Sequence, residues 1–290
     1  MMHLKVMGDL GQIIPQRMSI RDPAAIRAAV AGSDVVINLV GEEKESWNWS
    51  FQDLHVTFPR DLAIACRDAG VGSFIQVSCL GASENAPSDR LKSKWEGERV
   101  VQSILPHAMV AQLAPVVGNE DMFYNRIARF VQNAPRVAIV DGGHQLGQPV
   151  WVQDVNAGIR AMLQQGTPGA TYEMAGPHTY TLKEVVGMVQ ESMREPKKEV
   201  IPVPGVVVGE VSGAVMDFLV NNKLPSYFIN PWFTRDGVKE SGVDLVRSEG
   251  SLGLESFGIT PSDVSVGRPM EHVRFYRRGG YHFGATELDG

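Results

Sequence analysis

A few positions in this sequence combine a reactive or permissive residue type with a place where ligands gather. Ser78 closes the predicted strand Ser73–Ser78, and open parallel sheets bind ligands beyond the carboxyl ends of their strands. Its hydroxyl reads either as a ligand contact or as a plain strand end. Gly41 ends the apolar run Val35–Val40; a side chain there would crowd anything lying across the sheet, although glycine also simply stops strands. Arg90 and Lys94 are four residues apart on the predicted helix Ser88–Leu105 and therefore share a face. Arginine stays protonated at any ordinary pH, so Arg90 cannot serve as a general acid or base. The pair Gly8 and Gly11 follows no strand and opens no helix, which makes it a poor phosphate loop. His107, His144 and His178 fall in separate loops and suggest no metal site. Glu120 and Asp121 precede the predicted helix Met122–Gln132, an ordinary first-turn placement for acids.

The elements that must position these residues alternate with a clear rhythm. Asp22-Pro23 starts a helix, with Asp as N-cap and Pro at the first helical position, and Gly32 ends it. The apolar run Val35–Val40 suits a parallel strand covered on both faces. A long helix over Gln52–Ala69 ends at Gly70, and the strands Ser73–Ser78 and Ala108–Leu113 flank the helix Ser88–Leu105. Strand–helix alternation of this kind points to a parallel sheet with right-handed crossovers. The rhythm loosens after Pro115. Strands are expected at Val137–Val140, Pro149–Val152, Ala170–Met174 and Glu199–Val203. Asp154 is expected to cap the helix Val155–Gln164, and Thr181 the helix Leu182–Met193. The fold class is α/β: a Rossmann-like doubly wound parallel sheet with a smaller C-terminal α/β part. Gln12–Ile20 would be its strand three and Val35–Val40 its strand four, so the first βαβ unit and its glycine-rich loop lie outside this chain. The expected division is an incomplete nucleotide-binding domain over residues 1–147 and a smaller region over residues 148–290, packed together. Without strands one and two, apolar strand edges would stay unpaired. The expectation is that about fifty upstream residues or a partner chain fill the gap, following the usual size of such a unit.

Bulk properties narrow the function. The chain has 290 residues, 43% hydrophobic, with a formal net charge of −6. No block of basic residues suggests a nucleic-acid partner. Two cysteines, Cys66 and Cys79, make neither a disulfide framework nor a metal site and fit a reducing compartment. The longest apolar candidate, Val203–Val220, is interrupted by Pro204, small residues and two acids, so no membrane span is expected. Tyr227, Phe228, Trp232 and Phe233 form an aromatic cluster, and Arg274–Arg278 a basic one.

This order of segments resembles the atypical short-chain dehydrogenase/reductase superfamily. It is more closely similar to the nucleotide-binding accessory subunits of mitochondrial complex I (NADH:ubiquinone oxidoreductase). The similarity rests on His3–Gln12 (HLKVMGDLGQ), Val35–Gly41 (VVINLVG), Phe74–Leu80 (FIQVSCL), Gln148–Gly158 (QPVWVQDVNAG) and Pro231–Val238 (PWFTRDGV), which together span nearly the whole chain. In the wider superfamily a Tyr-x-x-x-Lys pair carries out hydride transfer: the tyrosine moves the proton, and the lysine lowers its pKa and holds the nicotinamide ribose. Here Lys94 occupies the lysine position and Arg90 the tyrosine position.

The resemblance implies a non-catalytic accessory subunit that binds NADPH structurally. It would sit peripherally on the matrix side of the mitochondrial inner membrane, bracing the junction of the peripheral and membrane arms near the quinone site. Its partners would be other complex I subunits and membrane lipid, with the aromatic and basic clusters as contacts. The cofactor-binding positions implied are Ser19, Ile20, Leu39, Val40, Gly41, Ser78, Lys94 and Pro115. Ser19 replaces the usual acid beside the adenine, and the absent glycine-rich loop weakens the cofactor expectation. The alternative is a soluble NADP-dependent reductase or epimerase, which would need Tyr124 as its acid. A nucleotide-sensing or RNA-associated scaffold fits the acidic charge less well.

Overall fold

The computed structural model describes residues 8–9, 11–194, 197–221 and 231–276. Among these, four parallel strands form the main sheet: β1 (Val35–Asn38), β2 (Ser73–Cys79), β3 (Met109–Leu113) and β8 (Thr171–Met174), in the order β1-β2-β3-β8. The register places Val35 beside Ser73, Ile75 beside Met109 and Val110 beside Thr171. The chain has the α/β Rossmann-like fold expected of its alternating pattern. Two short parallel pairs, β4 (Val116–Val117) with β7 (Val150–Trp151) and β5 (Val137–Val140) with β10 (Val200–Val203), extend the molecule beyond the carboxyl ends of the sheet. An antiparallel pair, β6 (Leu146–Gly147) with β9 (Tyr180–Thr181), completes the strands.

Local chemistry sets most helix boundaries. In α1 (Pro23–Val30) the Asp22 carboxylate accepts a bond from the Ala24 amide at 2.9 Å, and Pro23 loses nothing at a position with no helical partner. The helix α2 (Phe58–Ala69) ends at Gly70, whose φ of 70° suits glycine. It is entered through a π-helical segment, Asp53–Thr57, which turns His55 into the protein. Ser88 caps α3 (Asp89–Ile104), accepting from Leu91 N at 3.1 Å. Thr181 and Glu184 make a reciprocal capping box at the start of α6 (Leu182–Ser192). Three apolar clusters result. Ile26, Leu62, Phe74 and Val101 pack α1–α3 on one sheet face; Ile75, Met109, Met162 and Met174 pack α5 (Val152–Gln165) on the other. The third joins α4 (Tyr124–Asn133) and α6 through Ile127, Val185 and Val189.

Several expectations need correction. Gln12–Ile20 forms no strand, because the described residues offer it no ladder partner; Met18 and Ile20 still pack on the first cluster. The strand expected at Val35–Val40 stops at Asn38 and is covered on one face only. Val36 and Val40 join the core, whereas Val35 and Ile37 are 41% and 38% exposed. Asp154 does not cap α5, which begins two residues earlier; its carboxylate is buried and holds Ser262 through the amide at 2.7 Å and the hydroxyl at 3.2 Å. Tyr227, Phe228, Arg277 and Arg278 lie outside the described residues, as does most of His3–Gln12. Among the described residues no helix is long and apolar enough to cross a membrane.

Candidate functional site

The carboxyl ends of β2 and β3 open onto a cavity of about 1200 Å³ whose lining includes Ser78, Lys94 and Pro115. A crevice of about 270 Å³ at the end of β1 is lined by Ser19, Ile20, Val40 and Gly41. The structure thus gathers seven of the eight expected ligand positions into two adjoining recesses. Leu39 belongs to neither and is 69% exposed; strand alternation turns it away from Val40, toward the uncovered face. The recesses meet at Gly41. A Cβ there would lie 2.6 Å from the Lys94 ammonium nitrogen and 3.5 Å from His55 Nε2, so a larger residue would displace the ammonium from its present place.

Lys94 is the open charge of the site. Among the described residues its ammonium makes no hydrogen bond and no ion pair. Burial pushes its pKa below the usual lysine value, and Arg90 pushes the same way while Cys79 and Glu98 counter. Beneath it, His55 is held on both sides: Nδ1 shares a hydrogen bond with Ser93 Oγ at 2.8 Å, and Nε2 accepts from Glu42 N at 3.3 Å. Burial, with the charges of Lys94 and Arg90, pushes its pKa down to about 2, so the ring stays neutral. The close contact between α3 and the π segment depends on Gly97, where a Cβ would overlap the His55 carbonyl. Glu98 lies one turn beyond Lys94 on the same helix face. It is buried, accepts from Gln112 Nε2 at 2.9 Å and neighbours Ser78. Burial pushes its pKa up to about 7. Ser78 Oγ and Glu98 Oε1 both lack a hydrogen bond of good geometry.

Arg90 is placed very differently. Its guanidinium forks onto Glu240, with Nε donating to Oε2 at 2.8 Å and Nη2 to Oε1, and Nη1 lies 3.8 Å from Cys79 Sγ. Glu240 belongs to α8 (Arg235–Glu240), which Thr234 caps by accepting from Gly237 N at 3.0 Å. From the same helix Asp236 accepts from the Asp89 and Arg90 amides at 2.6 and 3.1 Å, capping α3 from a distance. The PWFTRDGV segment is therefore a clasp, and Trp232 also meets Phe123 edge-on at 6.0 Å.

Tyr124 does not supply an acid. It is wholly buried, its hydroxyl donates toward Val264 O at 3.4 Å, and burial raises its pKa. Asp121 is more than a first-turn acid: its buried carboxylate lies 2.9 Å from His272 Nε2 and accepts from Gly118 N and Asn125 N. His55, Glu98, Glu240 and His272 are absent from the sequence reading, and Asp236 entered it only as part of PWFTRDGV, with no role of its own. Only Glu98 carried a local signal, its four-residue spacing from Lys94. Among the described residues no cluster of possible metal ligands occurs.

Comparison with known proteins adds a family context. The RmlD substrate binding domain family matches residues 83–207. The chain is 36% identical over 289 residues to NADH dehydrogenase (ubiquinone) 1 alpha subcomplex subunit 9 of Arabidopsis thaliana, covering 98% of this chain and 71% of the relative. The subunit of the same name from Mus musculus is 34% identical, with 99% and 73% covered. Among solved structures, RMD from Pseudomonas aeruginosa complexed with NADPH superimposes with a TM-score of 0.60 at 15% identity, over 95% of this chain and 94% of that one. That likeness shows the fold.

Proposed function

The chain belongs to the family of NADH dehydrogenase (ubiquinone) 1 alpha subcomplex subunit 9, and on that premise we propose that it serves mitochondrial complex I as a non-catalytic, nucleotide-holding accessory subunit. The observation that carries the non-catalytic reading is the pairing of Arg90 with Glu240. The residue standing where the superfamily keeps its proton donor is an arginine, and its guanidinium is committed to the protein. Tyr124 offers no replacement from the core.

Binding is supported by the other half of the site. Lys94 would hold the nicotinamide ribose, with Gly41 leaving the room, Ser78 and Pro115 beside it, and Ser19, Ile20 and Val40 on the adenine side. NADPH is the dinucleotide we propose. When bound, it would bring a hydride donor to the sheet ends, where the superfamily's proton-donor position holds Arg90, paired with Glu240. An open, partly buried ammonium suits an anionic or polyhydroxyl ligand, because it gains a charge-assisted bond without breaking another. The subunit would lie peripherally on the matrix side of the inner membrane, at the junction of the two arms near the quinone site, in contact with other subunits and lipid.

A mild-detergent native gel of mitochondrial membranes, probed for this chain, tests the reading. Migration with the large complex that oxidises NADH in the gel is expected. Migration alone as a small soluble species, with carbonyl-dependent NADPH oxidation, would favour the reductase alternative.

A further inference from the structure

The main cavity continues past Ser78 and Lys94 into a chamber bounded by α4, β5, α6 and the 3-10 turn Pro231–Phe233. Its walls are aromatic and aliphatic: Phe123, Phe130, Trp151, Leu182, Trp232 and Phe233. Phe123 and Trp232 meet edge-on, and Phe130 and Phe233 are tilted against each other at 6.0 Å. Trp232 and Phe233 thus sit on a single face of α4, built from positions 123, 126 and 130.

The two guanidinium groups inside this chamber are already matched. Arg126, largely buried, forms an ion pair with Glu43 and lies over the Trp232 ring at 5.1 Å. Arg90 is forked onto Glu240. Any anion brought in would meet Glu43 and Glu240 as well as the guanidinium groups, and it would have to break a desolvated pair to gain a bond. Among the described residues, Lys94 at the sheet end and Arg268 line the cavity without an ion pair. Arg268 and Glu271 sit at the exposed rim.

We infer that this chamber, the part of the main cavity beyond Ser78, Lys94 and Pro115, is a second ligand site, which takes a neutral and largely apolar small molecule bearing a ring or hydrocarbon chain. Its walls supply apolar area and ring edges, the usual source of affinity in such pockets. Its matched charges select against nucleoside-diphosphate sugars. The position of the nucleotide follows the reading above, whereas the chamber's selectivity rests on its own walls.

The test uses the purified chain and N-phenyl-1-naphthylamine, a neutral probe that fluoresces in apolar surroundings. Saturable one-to-one binding is expected. Ala138→Trp, which fills the chamber from β5, and Trp232→Ala should each weaken binding at least tenfold, while Trp232→Phe should retain it. Circular dichroism and thermal unfolding establish which variants are folded, and the Trp232→Phe and Trp232→Ala contrast stands if Ala138→Trp does not fold. UDP-glucose at millimolar concentration should not displace the probe. Absence of saturable binding, equal binding by Trp232→Ala and Trp232→Phe, or displacement by UDP-glucose would overturn the inference. NADPH titration of the same protein is read separately: probe binding without NADPH binding would sink the nucleotide reading and leave this one standing.

Discussion

Arg90 and Lys94 stand one turn apart on α3, line the same cavity and carry the same charge, yet the protein uses them in opposite ways. Arg90 is consumed by Glu240 and ties α3 to α8. Lys94 is left open beside a glycine that makes room for it. Under the proposed function, the position of the superfamily's proton donor serves as a structural joint, and the lysine position stays open to a ligand. On that proposal, reaction and ligand chemistry depend on different residues of one helix and can part company.

The contrast can be broken most forcefully at the joint. Arg90→Ala leaves Glu240 without its partner in a mostly buried setting, where breaking a pair costs up to about 3–5 kcal/mol. Urea unfolding should show that loss, with NADPH affinity changed by less than about threefold, well under the roughly 1.4 kcal/mol of a tenfold change. A large affinity loss with unchanged stability would reverse the roles assigned here.

The groups beneath Lys94 sharpen the comparison through pH. His55 titrates near 6.5 when unfolded and at about 2 when folded. Its contribution is present above pH 6.5 and is lost as pH falls toward 2, since only the unfolded chain takes up the proton. Glu98 titrates near 4.5 when unfolded and at about 7 when folded. Its contribution is present below pH 4.5 and is lost as pH rises through 7. Between pH 4.5 and 6.5 the two slopes oppose, and the native protein should show a nearly flat stability profile from this pair. Glu98→Gln should leave stability rising with pH across that window by about 1.4 kcal/mol per unit, and His55→Asn should leave it falling by a similar amount. Denaturant melts at several pH values decide this, and parallel slopes in the two variants would contradict it.

Lys94→Met addresses the open position. NADPH affinity should fall about tenfold, or about 1.4 kcal/mol, with the melting temperature unchanged or raised because a desolvated charge has been removed. The smallest effect is expected at Asp236→Ala, which removes a cap from two α3 amides and should cost about 1 kcal/mol, leaving nucleotide binding intact.

Features with local causes were legible in the sequence. The Asp22-Pro23 start of α1, the Thr181 cap and the parallel strands all follow from spacing and residue type. Gly41 and Ser78 were placed at the sheet ends by the same logic, whereas Lys94 and Pro115 were placed there by the family resemblance. The clasp was not legible, because Asp236 and Glu240 meet α3 across some 150 residues of chain and nothing local marks their target. The half-covered state of β1 was also hidden. An apolar run shows what a strand can bury, whereas what covers it is decided by its neighbours. His55 enters the interior through a π-helical turn, which the helical period of 3.6 does not anticipate.

The central claim is that binding survives where catalysis has been lost, and the nucleotide content of the intact complex tests it most directly. Complex I isolated from mitochondria carrying the native chain, and from mitochondria carrying Lys94→Met, would be denatured and the released dinucleotide quantified before and after NADH-driven turnover. The account predicts one NADPH per native chain, still reduced after turnover, and a depleted content in the variant. Equal nucleotide in both complexes, or oxidation of the bound NADPH during turnover, would contradict it.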